Sequence, residues 1–310
     1  MRVDLATLSS PVAQGIRLVA LGLLEDAHGA AVRIATATDP DALHDFRVAV
    51  RRLRSWLRAF DDELGDAVRG KDRRRLRDLA HATNAARDIE VQLAWLGGAA
   101  KGFRVKRRRG ADWLAQYLIA RHPLADGQGN TALLASVDKV GHSLVERLAV
   151  FEQPLEAPHG GVTLARAIAL RIAPHVDALG DELSNVHNVH DESEVHEARI
   201  DAKRLRYLTE PAVDSVAAGA ELLARLKSLQ DELGALHDAH VMIHELRRAL
   251  ELASTDAPDA RDGLLALAER ARADARGAFA RARADWLNGQ FATFATAATD
   301  FAERLAGVHE

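Results

Sequence analysis

The chain has 310 residues, with 41 Lys and Arg against 45 Asp and Glu for a formal net charge of −4, and it contains no cysteine. That length admits two domains or one large one, while the missing cysteine excludes a disulfide framework and thiolate chemistry. Aromatic residues make up only 5%, and abundant Ala, Leu, Arg and Glu with hardly a β-branched run predict an all-α fold.

The small net charge hides a polarised chain. Residues 40–121 hold 19 Lys/Arg against 11 Asp/Glu, net +8, whereas the remainder holds 22 against 34, net −12. No basic start followed by an apolar stretch opens the sequence, and no apolar run approaches the roughly 20 residues of a membrane span. The expectation is a cytoplasmic protein with no membrane partner.

In chain order, a first helix is predicted over about 8–36, with Ile16, Val19, Leu23 and Leu24 on its apolar side. Asp39-Pro40-Asp41 reads as a helix start, Asp39 as N-cap and Pro40 at the first position. The second helix then runs to about Leu64, and Gly65 and Gly70 mark a turn. A third helix over about 71–96 is predicted to stop at Gly97-Gly98. A fourth, over 104–122, opens with Arg104, Lys106, Arg107, Arg108 and Arg109; after a break at Pro123 to Gly129, helix resumes to Phe151. Residues 153–161, dense in Pro and Gly, divide the chain into halves, 1–152 and 162–310. The pattern restarts with a helix over about 162–183, a cap at Asp191 and a helix to about Glu210. After a turn at Pro211 come helices over about 217–253, 261–287 and 290–307.

The second helix carries the most informative pattern. At about 100° per residue, His44, Arg47, Arg51, Arg54 and Arg58 share one narrow stripe, opposite an apolar face of Phe46, Val50, Leu53, Leu57 and Phe60. Solvated helix faces ordinarily mix signs to gain i,i+4 pairs, yet no acid lies between Asp45 and Asp61. The stripe recurs 152 residues later as His196, Arg199, Lys203, Arg204 and Arg206, with Arg204 answering Arg52. The third helices match too, at an offset of 150: Arg87-Asp88 answers His237-Asp238, and Arg77 answers Lys227. Two repeats of about four helices each explain this economically. Arg73, Arg77, Asn84 and Arg87 line one side of the third helix, as Lys227 and His237 do in its copy.

These residues, His44-x-x-Arg47-Val48-x-x-Arg51-Arg52-Leu53-Arg54, the copy from His196 to Tyr207, and the Arg87-Asp88 and His237-Asp238 elements, resemble the CHAD family, the conserved histidine α-helical domain. The resemblance covers nearly the whole chain. It implies two tandem four-helix bundles related by a pseudo-two-fold axis, with a basic central channel that binds inorganic polyphosphate in storage, granule attachment or sensing, and no cofactor. It also implies polyphosphate granules as the place of binding. Glu192-x-Glu194 lacks the lysine of the triphosphate-tunnel motif found in some fused relatives, so the expectation is a binding module, not an enzyme. The chain departs from the family where Asn84 replaces a glycine, where His237 replaces arginine and where Glu210 stands opposite Arg58.

The residues support a phosphate ligand independently. Arginine offers a planar fork of donors and stays charged, and one turn of helix, about 5.4 Å, is on the scale of alternate phosphates of an extended chain. Tyr207 either adds a hydroxyl donor or packs its ring. His44 and His196 are either helix-packing residues or ligands whose pKa rises beside a polyanion. Single-strand nucleic-acid binders need aromatic platforms, which the stripes lack. Nucleic acid or an acidic partner protein on a helical scaffold are the alternatives. His237, His240 and His244 stand at helical spacing and form a weak metal candidate; no metal and no catalytic residue is expected. The sequence carries no signal for the oligomeric state.

Overall fold

A computed structural model of the protein describes residues 2–36, 39, 41–121, 128–149 and 161–308, with backbone only at 85, 86 and 128–131. Thr38, Pro40, Pro123 to Gly127, Phe151 and linker positions 153–160 lie outside the described residues.

The described residues form an all-α fold. The first half comprises α1 (Leu5–Ser9), α2 (Val12–Ala35), α3 (Ala42–Ala59), α4 (Asp61–Leu64), α5 (Gly70–Ala99), α6 (Val105–Ala120) and α7 (Gln128–Leu148). The second comprises α8 (Leu164–Ser184), α9 (Glu192–Thr209), α10 (Gly219–Asp256), α11 (Arg261–Ala282) and α12 (Gln290–Ala306).

Neighbour relations repeat between the halves. Helix α2 packs on α3 and α7, with α5 closing the group, and α8 packs on α9 and α12, with α10 closing that one. One hydrophobic core runs through both groups, from Leu8 to Leu305. Helix α3 shows why: Phe46, Val50, Leu53, Trp56 and Leu57 are all buried, and each such side chain contributes roughly 1.5–3 kcal/mol. The Trp56 ring also satisfies its polar edge, with Nε1 donating to the Ile16 carbonyl at 3.0 Å. The start of α8 is pinned to the α1–α2 junction, where Val12 N donates to Val162 O at 3.0 Å and Leu164 N to Ser10 O at 3.1 Å.

The long helices do more than the repeat arithmetic anticipates. Helices α5 and α10, of 30 and 38 residues, continue past the two groups and meet α6 and α11 around a second core of Ile89, Leu96, Leu114, Leu118, Met242, Leu246, Leu264 and Leu267. Among the described residues each half therefore supplies five long helices, and α6 and α11 pack on each other across the halves. Their closest approach is at Gly110 and Gly263, where a Cβ on Gly110 would stand 2.6 Å from the Gly263 Cα. Only glycine fits that crossing.

Helix ends differ from expectation in four places. The first helix is interrupted at Pro11, which lies in an isolated bridge to Thr163. Helix α3 ends at Ala59, followed by the separate short α4, because Phe60 leaves helical geometry (φ −121°, ψ 37°) to bury its ring. Helix α5 continues through Gly97-Gly98 to Ala99, because Leu96 and Ala100 are held in the second core; the turn is made by Gly102 at φ 82°. One cap also shifts: Asp41 takes the N-cap position of α3, and Asp39 accepts from the Asp41 backbone N–H at 2.9 Å, ahead of the helix. Asp191 is the N-cap of α9 as expected, its side chain accepting from His187 N and Asn188 N of the preceding loop.

Candidate functional site

The two stripe helices pack against each other, and both turn their charged faces into one cavity of about 850 Å³. Helix α3 contributes Arg47, Arg51, Arg54 and Arg58, and α9 contributes His196, Arg199, Lys203 and Arg204. Helix α5 adds Arg73, Arg74, Arg77, Asn84 and Asp88, and α10 adds His237 and Asp238. The wall thus carries ten Lys/Arg against three Asp, the third being Asp61, and no Phe, Tyr or Trp. The apolar backs of α3 and α9 dictate this: burying Phe46, Leu53, Val195 and Leu205 in the core leaves the opposite face pointing at the gap between halves.

Some of these cations are already occupied. Arg47 donates to the Thr83 carbonyl, and Arg73 donates to the Leu57 carbonyl at 2.9 Å while pairing with Asp61. Arg77 lies 3.1 Å from Asp78, and Arg204 2.5 Å from Asp201. Among the described residues, Arg51, Arg54, Arg58, Arg74, Arg199 and Lys203 have no carboxylate within ion-pair distance. The Arg199 Nε is buried without a hydrogen-bond partner.

The electrostatic consequence is a set of strained cations. Burial, then Arg199 and Arg51, brings the Lys203 ammonium down to about 6. Burial and Arg51 bring Arg47 down to about 10, and Arg54 and Arg199 are lowered for the same first reason. His237 falls to about 4 through burial, then Arg199 and His196. Burial raises Asp88 and Asp238 despite the surrounding arginines. Such a site gains by admitting an anion, which would relieve the repulsion among its cations.

Not every residue expected on this wall is there. His44 is exposed on the first turn of α3, away from the cavity. His196 does face it, its ring centroid 5.3 Å from that of His237. Arg52 turns aside to bind Glu210, Nη2 to Oε1 at 2.6 Å. Arg206 donates to Gln230 Oε1 at 2.9 Å and lies 3.7 Å from Glu210. Tyr207 is buried, with the Arg206 guanidinium carbon 6.0 Å from its ring centroid, and does not line the cavity. Arg87 pairs with Glu90 at 3.0 Å. Lys227 lines a different cavity of about 550 Å³ with Asp231, Glu232 and Arg281. Ten residues along a helix turn the side chain by about 1,000°, or 80° short of full register. One wall therefore takes Arg77 but not Arg87 from α5, and His237 but not Lys227 from α10. Arg74 was not anticipated; it sits one position beyond the Arg73 stripe, on a wall broader than one helical row.

The three histidines at helical spacing on α10 diverge. His237 faces the cavity, buried His240 has its Nε2 2.7 Å from the Val189 carbonyl, and His244 Nε2 lies 2.5 Å from Glu192 Oε2. Among the described residues no group of three His, Cys, Asp or Glu side chains is arranged to hold a metal ion, and no helix is long and apolar enough to cross a membrane.

A family model described as the CHAD domain matches residues 21–247. No curated protein matches the chain. Among solved structures, the CHAD domain from the plant Ricinus communis superposes with a TM-score of 0.62 at 21% identity, covering 96% of this chain and 94% of that one. PptA from Streptomyces chartreusis superposes with a TM-score of 0.62 at 17% identity, covering 95% of this chain and 100% of that one.

Proposed function

The chain belongs to the CHAD domain family, and from that premise we propose that it binds inorganic polyphosphate in the cavity between α3 and α9, as a binding module without catalytic chemistry of its own. One observation carries the reading: two basic stripes, 152 residues apart in sequence, face a single cavity with ten Lys/Arg against three Asp. A linear polyanion is the ligand that suits a row of guanidinium groups at one-turn spacing, because each phosphate presents oxygens to a planar fork. Opposed stripes sum their fields over a low-dielectric cleft, which a ligand held on one open face would not experience.

The same reading treats the two halves as one unit related by pseudo-two-fold symmetry, since neither stripe encloses the cavity alone. Nucleic acid fits less well, because base stacking needs aromatic platforms and the wall has no Phe, Tyr or Trp. Storage, granule attachment and sensing of polyphosphate in the cytoplasm are the roles that such a module serves. The test is a side-by-side titration with long-chain polyphosphate, single-stranded DNA and free phosphate at one salt concentration. Polyphosphate is expected to bind at least tenfold more tightly than either competitor; equal or tighter binding of DNA would overturn the reading.

A further inference from the structure

The cavity wall carries nine arginines and one lysine. Lys203 occupies the position that answers Arg51 in the first half of the chain. Arginine cannot give up its proton in a protein, whereas a lysine ammonium readily does when buried among like charges. Among the described residues of this wall, one side chain can therefore relieve the crowding of cations by deprotonating.

Its surroundings are consistent on every side. On α9 itself Arg199 stands one turn away, and α3 presents Arg47 and Arg51. Helix α10 presents His237 and Asp238, the latter acting on Lys203 without an ion pair to it among the described residues. Asp88 of α5 acts on Arg47 and Arg199. Helix α8, on the far side of α9, sets Glu182 near Asp201 and Glu197, away from this face. The depression of the Lys203 ammonium to about 6 agrees with the arrangement.

We propose that the site takes up a proton together with its polyanion, at the Lys203 amine, so that the ligand is gripped more tightly as the medium becomes more acidic and released as it becomes alkaline. The proposal rests on the polyphosphate reading and adds its regulation. The step is a proton transfer: Lys203 Nζ gains an N–H bond to a proton given up by hydronium or a buffer acid, whose own bond to it breaks, as phosphate oxygens enter the cavity. The sign follows from linkage. With the free amine titrating low and the bound ammonium restored towards its ordinary range, affinity is highest below the free value and falls about tenfold per pH unit above it until the bound value is reached.

Two measurements test it. The chain has six lysines, so reductive ¹³C-methylation and NMR resolve them individually, and the resonance that vanishes in Lys203→Arg identifies this one. In the free protein it is expected to titrate below pH 8; titration near 10 overturns the proposal without reference to any ligand. The second is calorimetry with long-chain polyphosphate, whose chain ends are negligible, at pH 8 in buffers of different ionisation enthalpy. Uptake of about one proton per site is expected. The Lys203→Arg variant, whatever its absolute affinity, should take up no proton and show a flat profile between pH 7 and 9. An unchanged pH slope in that variant overturns the proposal. Failure of the unaltered protein to bind polyphosphate at all would instead overturn the functional reading, and the ligand-free lysine titration tells the two failures apart.

Discussion

Arg52 of α3 donates through Nη2 to Glu210 Oε1 at 2.6 Å, joining the stripe helix of the first half to the end of the stripe helix of the second. The same Glu210 oxygen lies 3.7 Å from Arg206. A residue that looks in sequence like a defect in the second stripe is thus the counter-ion that draws two arginines out of the cavity and into the seam between the halves.

Glu210→Gln should therefore leave two partly buried guanidinium groups short of charge. Because removal of one partner from such a pair costs more than the pair is worth, urea unfolding is expected to show a loss of about 2–4 kcal/mol. Polyphosphate affinity should change less than threefold, since neither arginine lines the cavity. A large affinity loss with unchanged stability would mean that this pair belongs to the site.

Removing a cation from the wall should act in the opposite way. Arg199→Ala deletes an unpaired guanidinium in the cavity, and charge-assisted hydrogen bonds contribute about 1.5–3 kcal/mol. The expected loss of polyphosphate affinity is about 10- to 100-fold. Lys227→Ala, in the separate cavity, is expected to stay within twofold. Calorimetry on both variants separates the two positions.

Binding should be dominated by counter-ion release. If six to eight phosphates are neutralised on a chain with single-strand-like charge spacing, the slope of log K against log salt is expected at roughly −4 to −6. A slope shallower than about −2 would place the ligand away from this wall.

The empty protein should be less stable in acid because of Lys203. Its folded pKa, about 6, lies below its ordinary 10.5, so between those values the unfolded chain binds a proton that the folded one does not. Stability from this group is therefore lost as pH falls towards 6 and regained as pH rises towards 10. Lys203→Met removes the proton that the unfolded chain alone binds, and should therefore flatten that slope and raise neutral-pH stability. Urea unfolding at pH 6.5, 7.5 and 8.5 without ligand checks this.

Helix periodicity is a local property, and whatever depends on it was legible in the residues. The all-α class, the apolar backs of α3 and α9, and the narrow rows of Arg47, Arg51, Arg54 and Arg199, Lys203 follow from 3.6 residues per turn and the need to bury Phe46, Leu53 and Leu205. The duplicated stripe was equally visible, because repetition at a fixed offset needs no three-dimensional information. Three things were settled only in the tertiary structure. Helix α5 passes through Gly97-Gly98 because distant Leu246 and Leu267 reward its continuation with buried surface that outweighs glycine's weak helix propensity. Lys227 faces α11 rather than the cavity because the packing of α10 selects which of its rows points inward. Arg52 and Arg206 leave the wall because Glu210, 158 residues from Arg52, is brought within hydrogen-bonding reach. A sequence states which side chains share a helix face; which of those charges find a partner, and which remain free for a ligand, depends on contacts between segments far apart in the chain.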